Sequence, residues 1–201
     1  MKSLLFAAAL ALTAGPALAA ATVGQAAPNF TAVDASGKTV TLADFKGRHV
    51  VLEWVNPGCP YVRRHYDSAN MQGTQKEATS KGVVWLAVNS TSQDSGDYLA
   101  PAAMAQWMQT QKAVATVTLM DADGQVGRAY GARTTPHMYI VNPAGTLVYA
   151  GAIDSKPTAN PADISTATNH VKVALAESLA GKPVSSASTR AYGCSVKYSS
   201  M

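Results

Sequence analysis

The chain has 201 residues, a net charge of +4 and two cysteines, Cys59 and Cys194. With 47% apolar and 14% charged residues it can bury a full core, which excludes a disordered chain. Two cysteines exclude a disulfide-dense scaffold and a four-thiolate zinc site, and the scattered +4 gives no reason to expect nucleic acid as a partner.

Residues 1–19 read as a signal peptide. Lys2 is the positive n-region, Leu4 to Leu12 the apolar h-region, and Ala17-Leu18-Ala19 a cleavage signal after the helix-ending Pro16. The apolar run is too short to span a bilayer. The expectation is a periplasmic or secreted protein with no membrane attachment after cleavage. In that oxidising compartment two cysteines pair or carry redox chemistry. Residues 20–183 form one expected domain, residues 184–201 a tail carrying Cys194, and the protein is expected to be a monomer.

Strand and helix signals alternate along the chain. Phe30 to Val33 and Val40-Thr41 flank a turn cluster and predict an N-terminal hairpin. His49 to Val55 is a nearly continuous apolar run that suits a central strand buried on both faces. Asn56-Pro57-Gly58 breaks it. A helix is predicted from Pro60 to Lys81, with a break near Gly73 and a stop at Gly82. Val83 to Asn89 is the next strand, followed by a polar loop, Ser90 to Tyr98. Pro101 opens a helix to about Lys112. Val117 to Met120 is a short strand and Gly124 to Tyr130 a short helix. His137 to Val141 and Thr146 to Ala150 form a hairpin around Asn142-Pro143-Ala144-Gly145. Ala167 to Leu179 is the last helix. The Ser-rich remainder has the composition of a disordered tail, with Tyr192 and Tyr198 flanking Cys194 as candidate anchors on the domain. This order indicates an α/β domain with a mixed sheet.

Cys59 follows the central strand and directly precedes Pro60. Proline favours the first helical turn, so Cys59 is placed at the helix N-cap. Its sulfur would face unpaired N–H groups and the positive end of the helix dipole, both of which favour thiolate. Arg63 and Arg64, one turn on, would add to this if they point back. The alternative is a half-buried structural cysteine.

Ala27-Pro28-Asn29-Phe30, Asp34-Ala35-Ser36-Gly37-Lys38, Leu42 to Gly47 and Val50 to Trp54 resemble the opening of the redoxin (AhpC/TSA) branch of the thioredoxin-like superfamily. Asp121-Ala122-Asp123-Gly124, Tyr130-Gly131, Thr135-Pro136 and Asn142 to Gly145 resemble its later landmarks. Gly58-Cys59-Pro60-Tyr61-Val62 and Gly193-Cys194-Ser195-Val196-Lys197 are similar to segments of the peroxiredoxin-like 1 group. The resemblance implies a thioredoxin-like fold, a central mixed sheet flanked by helices with an N-terminal β-hairpin extension. It sets Cys59 at the first cysteine of the thioredoxin C-x-x-C motif, with Val62 at the second, so no neighbouring dithiol forms. The peroxiredoxin pattern P-x-x-x-T-x-x-C would need Thr at Asn56 and Pro at Leu52. This speaks against peroxidase activity by the usual mechanism.

The resemblance also names companions for Cys59. Thr135-Pro136 is similar to the cis-proline loop that faces the active cysteine. With Pro60 it would bind substrate, holding a backbone edge open to a partner's extended chain. His137 follows and is a candidate proton donor or acceptor. Glu53, six residues before Cys59, matches the buried acid of thioredoxins, a proton relay whose pKa burial would raise; its alternative is a strand-end carboxylate reaching solvent. Cys194 is either a resolving partner for Cys59, a static staple, or an intermolecular thiol. Bridging it to Cys59 would close a loop worth roughly 5 kcal/mol in the chain-entropy model.

Asp121-Ala122-Asp123-Gly124 reads as a turn, since Ala132 falls where a calcium loop would close with Glu. Cys59, His65 and His137 are too few ligands for a copper or zinc site, so neither metal nor cofactor is expected. The functional expectation is thiol–disulfide exchange through Cys59 with Cys194, acting on protein thiols or disulfides or on small oxidants. The alternatives are an antioxidant peroxidase and a non-enzymatic binding module with a structural disulfide.

Overall fold

The computed structural model describes residues 20–200. The signal-peptide reading of residues 1–19 lies outside them. Among the described residues no helix is long and apolar enough to cross a membrane.

The chain opens with strand β1 (Thr31–Asp34) and strand β2 (Thr39–Thr41), then a 3-10 turn at Leu42–Phe45. Asp34 makes the turn between them: its Oδ1 accepts from the backbone N–H of Ser36 and of Lys38, at 2.8 and 2.9 Å. Strand β3 (Val50–Trp54) is buried along its whole length. Helices α1 (Pro60–Asp67) and α2 (Asn70–Ser80) follow, then strand β4 (Val84–Asn89), also fully buried. Helix α3 (Pro101–Thr110), strand β5 (Val117–Met120) and helix α4 (Gln125–Tyr130) lead to the two-residue strand β6 (Thr134–Thr135). The hairpin of β7 (His137–Val141) and β8 (Leu147–Gly151) follows. A 3-10 segment at Pro161–Thr166, helix α5 (His170–Leu179) and strand β9 (Cys194–Ser195) complete the order.

Seven strands form one sheet in the order β2-β1-β5-β4-β3-β7-β8. β3 runs parallel to β4 and β4 to β5, while β7 is antiparallel to both β3 and β8. β3 and β4 are the central strands, which is why apolar side chains occupy both of their faces. On one face, Val51, Val55, Trp85, Ala87, Met138 and Ile140 pack with Val62 and Tyr66 of α1, Met71 of α2, Met104 of α3 and Val171 of α5. On the other, Leu52, Trp54, Leu86, Val88 and Tyr139 pack with Val126 and Tyr130 of α4. Cys59 belongs to the first cluster.

The N-terminal hairpin forms as expected and extends the main sheet, since β1 pairs with β2 and with β5. Several expectations are corrected. The helix predicted from 60 to 81 breaks at Ser68-Ala69, where Ala69 takes φ +60°; Gly73 lies inside α2. The last helix starts at His170, not Ala167, with Asn169 as N-cap accepting from Lys172 N–H. The tail is ordered against the domain despite its composition. Ala150 N–H donates to Ala187 O and Thr189 N–H to Ala150 O, so residues 187–189 run beside edge strand β8. Farther on, β9 pairs antiparallel with β6.

Candidate functional site

The site is built at the C-terminal end of β3. There Asn56 folds the chain back: its Oδ1 accepts from Gly58 N–H at 2.8 Å, and its carbonyl from Cys59 N–H at 3.0 Å. Cys59 is the N-cap of α1 and Pro60 the first helical residue, the arrangement proline favours. The sulfur does not cap the helix. It makes no hydrogen bond to the first-turn N–H groups. Instead the thiol donates to the Thr135 carbonyl at 3.0 Å and lies 2.6 Å from Sγ of Cys194. Cys59 is 1% exposed. Pro60 beside it is exposed, and Val62 is buried in the core.

The peptide between Thr135 and Pro136 is cis. The edge expected to stay open for a partner is closed by this chain's own tail: Thr135 pairs with Cys194 and Thr134 with Ser195. Gly193 permits this. It holds φ +134°, and a side chain there would strike the Thr135 carbonyl oxygen.

Either side of Cys194 the tail is fastened by a tyrosine. Tyr192 donates its hydroxyl to Oδ1 of Asp154 at 2.5 Å and packs edge-on to Tyr61 at 5.8 Å between ring centres. Tyr198 donates to the Ala132 carbonyl at 2.8 Å, with the Arg128 guanidinium 4.8 Å from its ring centre. Between them, Val196 N–H donates to Arg133 O at 3.0 Å and Ser92 N–H to Lys197 O at 2.7 Å. Burial, together with the adjoining Cys59 sulfur, pushes the Cys194 thiol up to about 12.

Glu53 is completely buried on the Cys59 face, and does not reach solvent. Tyr66 donates to its Oε1 at 2.9 Å; Trp85 Nε1–H and Gln75 Nε2–H donate to Oε2 at 2.7 and 3.1 Å. Burial raises its pKa to about 7, against the three donors, which act to lower it.

Two expected neighbours of the sulfur turn elsewhere. His137 does not approach Cys59. Side chains alternate across β7, so Met138 and Ile140 share the Cys59 face while His137 falls with Tyr139 on the other. Its Nδ1 lies 3.2 Å from the Tyr139 hydroxyl, and burial lowers its pKa to about 4. Arg64 does not point back to the sulfur either. It is buried, paired with Asp154 at 3.0 Å, and its Nη1 donates to the carbonyls of Lys156 and Thr158 and to the Tyr192 hydroxyl. His65 also faces Asp154, at 4.0 Å. Cys59, His65 and His137 therefore do not converge. Asp121 is a turn residue, as expected from sequence, but a buried one: its carboxylate accepts from Ser90 and from the N–H groups of Val126 and Gly127. The tyrosines bracketing Cys194 were the sequence's signal for an anchored tail; what sequence reasoning missed is the Arg64–Asp154 pair that receives Tyr192.

Residues 23–150 match the AhpC/TSA family. The chain belongs to this family. Over 132 residues it is 28% identical to the thiol-disulfide oxidoreductase ResA of Bacillus subtilis, with 62% of this chain and 64% of that protein covered. The chain thus spans just under two thirds of the curated relative it matches. An uncharacterized conserved protein from Geobacillus kaustophilus superposes with a TM-score of 0.76 at 26% identity, covering 90% of this chain and 94% of that one. The thioredoxin domain of a thiol-disulfide oxidoreductase from Bacteroides vulgatus superposes with a TM-score of 0.51 at 25% identity, covering 64% and 87%. The AhpC/TSA domain has the thioredoxin-like fold, a mixed central sheet flanked by helices.

Proposed function

We propose that this AhpC/TSA protein is an exported thiol–disulfide exchange protein in which Cys59 and Cys194 form a reversible disulfide. The observation that carries the reading is the 2.6 Å approach of two sulfurs 135 residues apart, one at a helix N-terminus and beside a cis-proline loop. Similarity to ResA and to a Bacteroides vulgatus oxidoreductase supports the same chemistry. The Thr135 carbonyl orients the Cys59 sulfur beside that of Cys194. Glu53, poised near neutrality beneath the same face, serves as proton reservoir. Partners are thiols or disulfides of proteins, or small oxidants, outside the cytoplasm.

The firm anchoring of the tail favours a second reading, a structural staple. Mass spectrometry of the native protein separates the two. A Cys59–Cys194 bond that opens and re-forms in mild thiol buffer is the expected result. A bond that resists reduction until the protein is unfolded leaves only the staple.

A further inference from the structure

We propose that in the oxidised protein an incoming thiol attacks Cys194, and that Cys59 is the sulfur that departs. The inference rests on the reversible disulfide proposed above and assigns its two ends. In thiol–disulfide exchange the sulfur attacked is chosen by access and by which thiolate leaves more easily. Access decides between the two sulfurs here.

Access is decided by the tail. Cys59 is 1% exposed, whereas Cys194 is only partly buried and the next residue, Ser195, is exposed. A partner strand laid along Thr134-Thr135 would reach Cys59, but that edge is taken by Cys194 and Ser195. Opening it means removing the Tyr192 and Tyr198 anchors and the backbone bonds of Val196 and Lys197. Attack on Cys194 breaks none of these. A cleft of about 700 Å³ is also lined by Thr134, Tyr192 and Gly193, the residue before Cys194.

The step balances. The attacking thiolate bonds to Cys194 Sγ as the Cys194–Cys59 bond breaks, and the bond's electron pair stays on Cys59. A second thiolate then attacks the sulfur of the bound thiol. It forms the external disulfide and releases Cys194 as thiolate. The two protein sulfurs take up the two protons the external thiols lost. Two thiols are oxidised and one protein disulfide is reduced.

The test mixes the oxidised full-length protein with excess glutathione, quenches in acid over a time course, alkylates free thiols and maps tryptic peptides. Cys194 falls in residues 191–197 and Cys59 in residues 49–63. At the earliest times glutathione is expected on Cys194 over Cys59 by roughly ten-fold, with Cys59 alkylated in the same molecules. Equal or greater glutathione on Cys59 would overturn the assignment while leaving the exchange reading intact. Absence of any adduct until urea is added would overturn both. A Tyr198→Ala variant, with the tail loosened, is expected to raise the Cys59 share roughly five-fold or more. An unchanged share would show that the tail does not choose the sulfur.

Discussion

Gly193 lies with its α-carbon against the carbonyl oxygen of Thr135, too close for any side chain to intervene. The same oxygen holds the Cys59 thiol, so one carbonyl positions the buried cysteine and seats the strand that carries the other.

Gly193→Ala is therefore expected to unseat the tail. The new Cβ meets backbone, which cannot yield as a flexible side chain would, and φ is +134°. A loss of about 1–3 kcal/mol is expected from strain of this kind, read by urea titration. In the reduced variant, iodoacetamide should reach Cys59 faster than in wild type. Unchanged alkylation with unchanged stability would show that the glycine is dispensable.

Glu53 sets a pH dependence. Its carboxyl stays protonated up to about pH 7 in the folded chain, against 4.5 ordinarily. Between these values the unfolded chain has lost the proton and the folded chain keeps it, so this group's contribution to stability falls as pH rises from 4.5 to 7. The linked change is on the order of 3 kcal/mol. Glu53→Gln should flatten this slope, seen in urea midpoints across that range. It should also remove any inflection near pH 7 from the exchange rate. A rate profile identical to wild type would exclude Glu53 as the proton reservoir.

His65 acts in the opposite direction. Burial, opposed in part by Asp154, depresses its pKa from 6.5 to about 4. The unfolded chain takes up the proton first, so stability is lost as pH falls from 6.5 toward 4. His65→Gln should lessen the acid slope, whatever it does to stability at neutral pH. An equal slope in both proteins would mean that His65 does not contribute to acid unfolding.

Arg64→Met tests the latch. It leaves Asp154 buried without its cation, a change expected to cost about 3–5 kcal/mol. Tyr192→Phe removes one hydroxyl from the same carboxylate and should cost less, about 1–2 kcal/mol. Denaturant midpoints of the two variants give the ranking, and a larger loss in the tyrosine variant would reverse it.

What could be read from sequence was what is set locally. The nearly continuous apolar run at residues 50–54, interrupted only by Glu53, marked the central strand, and Cys59-Pro60 marked the helix start, because each depends on near neighbours. The break at Ala69 carried no glycine or proline and went unseen. His137 was misjudged because parity along β7 assigns its face only once Cys59 is known to lie with Met138. The docking of the tail depends on contacts more than a hundred residues apart, such as Tyr192 with Arg64; the tyrosines hint at an anchor, but nothing local names the partner.

Residues 187–189 have a consequence of their own. They cover the outer edge of β8 at Ala150, while Gly24 and Gln25 cover it at Leu147, so without the tail the Ala150 end of this last strand has unpaired backbone groups. Bare edges of this kind recruit strands from other molecules. If the tail lifts away as far back as Ala187, the protein gains a sticky margin as well as an accessible thiol. Self-association in dilute solution would then accompany any treatment that detaches the tail.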